Sequence, residues 1–155
     1  MKDIEIQKTN RRSFIKASGT AVAAGGLAFP SVTFGKPDSR KLKIGFIGCG
    51  GRGTGAATQA LTADSNVELW AMGDVSQDRL DRSLKSVKGS HGNKVNVEEK
   101  RQFVGLDSYR KVLDSGIDLA ILTTPPGFRP QHFKAAVDAG MHVFLEKPMA
   151  TDAPG

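Results

Sequence analysis

Leu42-Lys43-Ile44-Gly45-Phe46-Ile47-Gly48-Cys49-Gly50-Gly51-Arg52-Gly53 is the segment from which the rest of this chain can be read. Its first six residues are rich in β-formers and run straight into a glycine cluster, the pattern of a short buried strand. The cluster fits G-x-G-x-x-G, and an Ala-rich helix is predicted over residues 54–61. Strand, glycine turn and helix in that order form the context a dinucleotide phosphate site requires. Gly48 permits a tight turn, Gly50 lets the backbone approach a pyrophosphate, and Gly53 lets the helix pack close to the strand. The helix N-terminus then turns unsatisfied N–H groups toward the phosphates. Gly51 and Arg52 complete the turn, with Arg52 free to lean over an adenine, touch a phosphate or stay exposed. Cys49 reads as a small residue tolerated in the turn rather than a nucleophile, because no histidine lies beside it in sequence.

An acid supports the glycine pattern. Residues 66–72 read as a second strand, and Asp74 follows it, 21 residues after Gly53. A carboxylate at that point can accept hydrogen bonds from the adenosine ribose and would repel a 2′-phosphate, which favours NAD over NADP. The purely structural alternative for Asp74 is a helix N-cap.

Downstream the chain alternates. Ser76 is placed to cap a helix running to about residue 86, with Leu80, Leu84 and Val87 on one face. Residues 88–100 read as a loop, and residues 101–104 as a short strand. Asp107 can cap a helix through Leu113, ended by Gly116. Residues 117–122 form a strand, 131–139 a helix followed by Gly140, and 141–145 a last strand. The expected class is α/β, a Rossmann-type doubly wound parallel sheet with helices on both faces.

Charge sets the rest of the chain apart. The formal net charge is +6, but residues 1–43 carry nine basic and three acidic side chains and the remainder is balanced. The folded part therefore offers no basic surface for nucleic acid. The segment Asn10-Arg11-Arg12-Ser13-Phe14-Ile15-Lys16, followed by a modestly apolar Ala/Gly-rich stretch, resembles a twin-arginine export signal. A leader over residues 1–35, a linker over 36–41 and export to the periplasm or beyond are the expectations, with no stable membrane insertion afterwards. A single cysteine excludes an intrachain disulfide framework and a Cys-based zinc site, and no metal site is expected.

Two further loops should reach the ligand edge of such a sheet. Thr123-Thr124-Pro125 ends the fourth strand and Glu146-Lys147-Pro148 the fifth. A lysine there can contact substrate oxygens or the nicotinamide end, and if partly buried can transfer protons. The structural alternative for Lys147 is a surface residue paired with Glu146.

Together the glycine turn, Asp74, Thr-Pro-Pro after a strand, Ala-Gly-Met-His-Val-Phe-Leu and Glu146-Lys147-Pro148 resemble the Gfo/Idh/MocA oxidoreductases over residues 42–155. The resemblance implies a cofactor-binding Rossmann domain over 42–155, a substrate domain beyond it, and hydride transfer between nicotinamide and a sugar, cyclitol or related polyol. It makes Lys147 the catalytic group, touching substrate and cofactor. It assigns cofactor contacts to Gly48, Cys49, Gly50, Gly51, Arg52, Gly53, Asp74, Thr123, Thr124, Pro125, Glu146 and Lys147. It also implies a homo-oligomer for the whole protein. His132 stands further from Thr-Pro than the family's usual histidine, and a surface or capping role suits it at least as well. Two alternatives stay open. One is an NAD-dependent glycosidase of the same family, which shares the Gly-Gly-Arg-Gly turn but tends to depart from Glu-Lys-Pro. The other is a non-catalytic nucleotide-binding remnant.

Overall fold

The computed structural model describes residues 40–155. The expected leader and residues 36–39 of the linker lie outside the described residues. Within these, β1 (Leu42–Ile47), β2 (Val67–Asp74), β3 (Gln102–Val104), β4 (Leu119–Leu122) and β5 (His142–Leu145) form one sheet. All pairings are parallel and the order is β3-β2-β1-β4-β5. The chain leaves β1 toward one edge and later returns to β1's other side as β4. Crossover connections therefore lie on opposite faces, and a crevice opens where the direction reverses. The connections are α1 (Gly51–Ala63), α2 (Gln77–His91), α3 (Ser108–Leu113) and α4 (Arg129–Asp138).

Period-two alternation along the strands, broken once in β2 where the register with β1 shifts between Leu69 and Ala71, sorts the core into two layers. Ile44, Phe46, Leu69, Met72 and Ile121 face one way and meet Ala57, Leu61, Leu80 and Val87 of α1 and α2. Ile47, Ala71, Ala120 and Leu122 face the other way, against Tyr109, Val112, Leu113 and Ala136 of α3 and α4. Phe46, Leu61, Leu69 and Leu80 are wholly inaccessible. Burial on this scale, roughly 1.5–3 kcal/mol per large apolar side chain, holds the strand ends in a fixed geometry.

The boundaries differ from the sequence reading in instructive ways. α1 begins at Gly51, three residues earlier than expected, because the glycine turn itself makes the first helical turn: the Thr54 N–H donates to the Gly50 carbonyl at 2.9 Å. α2 continues to His91 through residues read as loop. Val87 is buried and anchors that last turn, and Gly89 sits on the open face, where the helix tolerates it. The remainder of the expected loop includes two short 3₁₀ turns, Gly92–Lys94 and Glu99–Arg101. Val97 returns to the core between them.

Neither expected cap forms through its side chain. Ser76 and Asp107 occupy the N-cap positions of α2 and α3 without a side-chain capping bond. Just ahead of α2, the Asp74 Oδ1 accepts the backbone N–H of Ser76 at 2.9 Å.

Candidate functional site

The C-terminal ends of β1, β2, β4 and β5 bring together the residues singled out in the sequence. The glycine turn is fixed first. Gly48 has φ +97°, a conformation that disfavours any side chain, and a Cβ there would stand 2.7 Å from the Thr124 nitrogen. A Cβ at Gly53 would strike the Gly48 carbonyl, the Thr123 hydroxyl and the Phe46 ring. α1 therefore starts in direct contact with the β1–β4 seam, as its proposed packing task demands. Gly50 differs, since a Cβ there would meet nothing within 4 Å. It faces open space in front of the helix N-terminus.

Asp74 is buried at the end of β2, yet it lines the cavity beside the turn. Its Oδ2 accepts the Cys49 N–H at 2.6 Å and its Oδ1 the Ser76 N–H. The acid thus fastens the glycine turn to the start of α2. Each carboxylate oxygen keeps a further lone pair for a ribose hydroxyl. Asp74 is not the N-cap residue of α2, so the alternative reading as a cap is replaced by this bridge.

Cys49 is buried, and its thiol donates to the Gly73 carbonyl at 3.5 Å. Burial pushes this thiol far above its ordinary value, and the adjacent Asp74 carboxylate adds to the rise. A thiol so reluctant to ionise is a packing group, in line with the sequence reading.

The loop after β4 supplies two threonines with different tasks. The Thr123 hydroxyl points back to the carbonyls of Ile47 and Gly48, at 3.0 and 2.8 Å. It braces the glycine turn, and that is its visible role. The Thr124 hydroxyl pairs with His132 Nδ1 at 3.1 Å. Pro125 lines the same cavity, which measures about 370 Å³ and is bounded also by Gly48, Gly50 and Asp74.

His132 corrects the sequence reading. It is buried in the wall of this cavity, not on the surface, and stacks on Tyr109 with ring centroids 4.2 Å apart. Burial lowers its readiness to take a proton below the ordinary value of 6.5. An unfolded chain therefore binds that proton at higher pH than the folded one, so stability should fall as pH drops below 6.5. Denaturant melts at several pH values should show His132→Gln flattening this part of the profile. An unchanged profile would contradict the assignment.

The loop after β5 also rearranges an expectation. Glu146 is buried and pairs with the Arg52 guanidinium, not with Lys147. The Lys147 backbone N–H, then Arg52 and Arg129, hold its carboxyl below the ordinary carboxylate range, against an opposing effect of burial. Arg52 is thereby drawn from the glycine turn across to the Glu-Lys-Pro loop. The Lys147 side chain is exposed rather than partly buried. Among the described residues its ammonium has no ion-pair partner, so it is available to an incoming group.

Two residues of this edge, Arg79 and Arg129, were not singled out by sequence, and a third, His132, was named there with its role left open. Arg79, in the first turn of α2, lines the main cavity and also a neighbouring polar one beside Gly50 and Gly51. Arg129 and His132 come from the first turn of α4. The available signal was Pro130 close to a helix start, which would have moved the predicted helix back to take in Arg129.

These residues fit a bound dinucleotide. An open face at Gly50, the α1 N-terminus, an acid aimed at the same cavity and polar loops beyond are what its phosphates, ribose and nicotinamide require. Among the described residues no group of three or more His, Cys, Asp or Glu is arranged to hold a metal ion. No helix among them is long and apolar enough to cross a membrane.

Comparison with known proteins supports the same reading. The profile of the family described as "Oxidoreductase family, NAD-binding Rossmann fold" matches residues 42–154. A glycosyl hydrolase family 109 protein of Shewanella baltica is 32% identical over 91% of this chain and 34% of its own length. The chain thus spans about a third of the length of such relatives. Apo scyllo-inositol dehydrogenase from Lactobacillus casei has a TM-score of 0.58 and 30% identity, covering 74% of this chain and 30% of that one. The same enzyme with NAD(H) and scyllo-inositol bound gives 29% identity and a TM-score of 0.58 over 73% and 30%. The WlbA dehydrogenase of Bordetella pertussis, in complex with NADH and UDP-GlcNAcA, gives 28% identity and a TM-score of 0.53 over 73% and 31%.

Proposed function

The chain belongs to the Gfo/Idh/MocA oxidoreductases, as an NAD-binding Rossmann domain, and from that premise we propose that the whole protein oxidises or reduces a sugar, cyclitol or related polyol. The observation that carries this reading is the meeting at one sheet edge of two loops, the glycine turn with Asp74 and the Glu146–Lys147–Pro148 segment. The Arg52–Glu146 ion pair ties one to the other. Bound NAD supplies a hydride acceptor or donor at its nicotinamide ring.

This chain's own residues have separable tasks. The α1 N-terminus and Gly50 receive the pyrophosphate. Asp74 holds the adenosine ribose through its remaining lone pairs and disfavours a 2′-phosphate by like charge. Thr124 and Pro125 flank the nicotinamide half. Lys147, exposed at the same edge and without an ion-pair partner among the described residues, contacts the substrate oxygen and moves its proton as the carbon is oxidised or reduced. A substrate domain beyond residue 155 closes the site against water. We also propose the domain plan of leader 1–35, linker 36–41 and cofactor domain 42–155, export by the twin-arginine route, and a homo-oligomer.

The test is turnover by the full gene product with NAD and a panel of sugars, inositols and polyols, followed by the near-ultraviolet absorbance of reduced nicotinamide. Where cofactor stays bound through the cycle, transfer between an oxidised and a reduced sugar replaces the absorbance readout. Absence of both from an NAD-loaded protein would overturn the reading. A second reading, an NAD-dependent glycosidase, is favoured by the 32% identity to a glycosyl hydrolase family 109 protein. The intact Glu146-Lys147-Pro148 argues against it. Release of free sugar from an aryl glycoside with no net reduced nicotinamide would establish it in place of the first.

A further inference from the structure

Arg129 is a cation with only 6% of its surface exposed. A buried charge is costly unless strongly compensated, and the usual compensation is a carboxylate. The direct partners of this guanidinium are instead backbone carbonyls, and they belong to the two loops of the site. Nε donates to the Thr124 carbonyl at 2.6 Å. Nη1 donates to the Glu146 carbonyl at 2.8 Å and also to the Pro148 carbonyl. The last two carbonyls flank Lys147 on either side in the chain. Three residues further along α4, His132 holds the Thr124 hydroxyl. The first turn of α4 therefore grips the loop after β4 by both oxygens of Thr124, and through Arg129 it grips the backbone on both sides of Lys147.

A planar guanidinium has fixed donor directions, so it sets a distance between loops as well as an attraction. A lysine ammonium is a compact point charge on a flexible stem and cannot reproduce that spacing. The Lys147 side chain is exposed, so where its ammonium stands follows from the backbone that carries it.

We propose that Arg129 is a positioning residue: it fixes the backbone on both sides of Lys147 against the Thr124 loop and so sets where the Lys147 ammonium stands relative to the nicotinamide end of the site. The inference rests on the proposed role of Lys147. It adds that this role depends on a residue that acts through the backbone of the two loops, although it also stands in the wall of the cavity.

The test compares Arg129→Lys and Arg129→Met with the wild-type full gene product, loaded with NAD. Backbone hydrogen exchange, NAD affinity by calorimetry and, with an active sugar or polyol, kcat and KM are measured. Expected are faster exchange over residues 123–126 and 146–149, sheet strands that exchange as before, and an NAD affinity within about 3-fold of wild type. Turnover should fall by about 10- to 100-fold in kcat, the scale of a misplaced reacting group. The exchange measurement needs no substrate, so it decides even where no turnover is found. Wild-type exchange at those two segments would overturn the proposal. So would unchanged kcat in a folded Arg129→Lys protein when Lys147→Met is inactive. Full activity of Lys147→Met would instead overturn the role assigned to Lys147 while leaving the exchange result to judge the clamp. If both Arg129 variants unfold, Arg129 is a fold-stabilising cation and the positioning role falls.

Discussion

Gly53→Ala is expected to lower the melting temperature by roughly 10 °C and to abolish NAD binding, while Gly55→Ala, in the same helix, raises it slightly. The added methyl at position 53 would be 2.6 Å from the Phe46 ring and closer still to the Gly48 carbonyl and Thr123 hydroxyl. Two of those neighbours cannot yield cheaply. The Gly48 carbonyl is backbone in the turn, and Phe46 is fully buried in the core. Overpacking of this kind costs about 3 kcal/mol, which in a domain of this size is about 10 °C. Relief requires α1 to move off the seam, and that movement carries its N-terminal N–H groups away from the phosphate position. At Gly55 a methyl meets nothing within 4 Å. There only helix propensity counts, and alanine gains about 0.5–1 kcal/mol over glycine. Thermal melts of the two variants, with and without NAD, check both signs.

The second large effect is at Asp74. Both of its oxygens already accept a backbone N–H, from Cys49 and from Ser76. An asparagine has one oxygen, so Asp74→Asn must present an NH₂ group to one of those donors. Leaving a buried donor unsatisfied costs about 1–3 kcal/mol in stability. The ribose meanwhile loses a charged acceptor, worth about 1.5–3 kcal/mol, or about 10- to 100-fold in NAD affinity. Loss of the negative charge should also narrow the preference for NAD over NADP. Calorimetric titration of both cofactors into the folded variant measures this directly. Undiminished NAD affinity would confine Asp74 to the structural bridge between the glycine turn and α2.

The sequence carried the strand–turn–helix core of this site because those features are local. A glycine turn between a β-rich run and an Ala-rich helix leaves few other folds open, and the acid at the end of β2 follows at a fixed distance. The alternation of strand and helix segments along the chain likewise exposed the parallel sheet and its two helical layers. Less legible was whatever depends on partners far apart in the chain. Arg52 and Glu146 are 94 residues apart and pair only because the loop after β5 ends at the same sheet edge as the glycine turn, with β4 between their strands. The sequence offered a Glu146–Lys147 pair only as the structural alternative to a catalytic Lys147, and the fold gives that carboxylate to Arg52.

His132 shows the same limit from the other side. Its distance from Thr-Pro left its role open, with a surface or capping position suiting it at least as well. The early start of α4, with Pro130 in its first turn, instead swings that face under the β4 loop and buries the ring against Tyr109. The extent of α2 was misread for a related reason, since Gly89 and Ser90 look like loop residues unless the burial of Val87 is known.

The most direct test of the account is calorimetric titration of the 155-residue chain with NAD and, separately, with NADP. One NAD bound per chain, with NADP weaker by about 10-fold or more, is the predicted result. A folded chain that takes up no NAD, or that binds NADP as tightly, would contradict the placement of the cofactor on Gly48–Gly53 and Asp74.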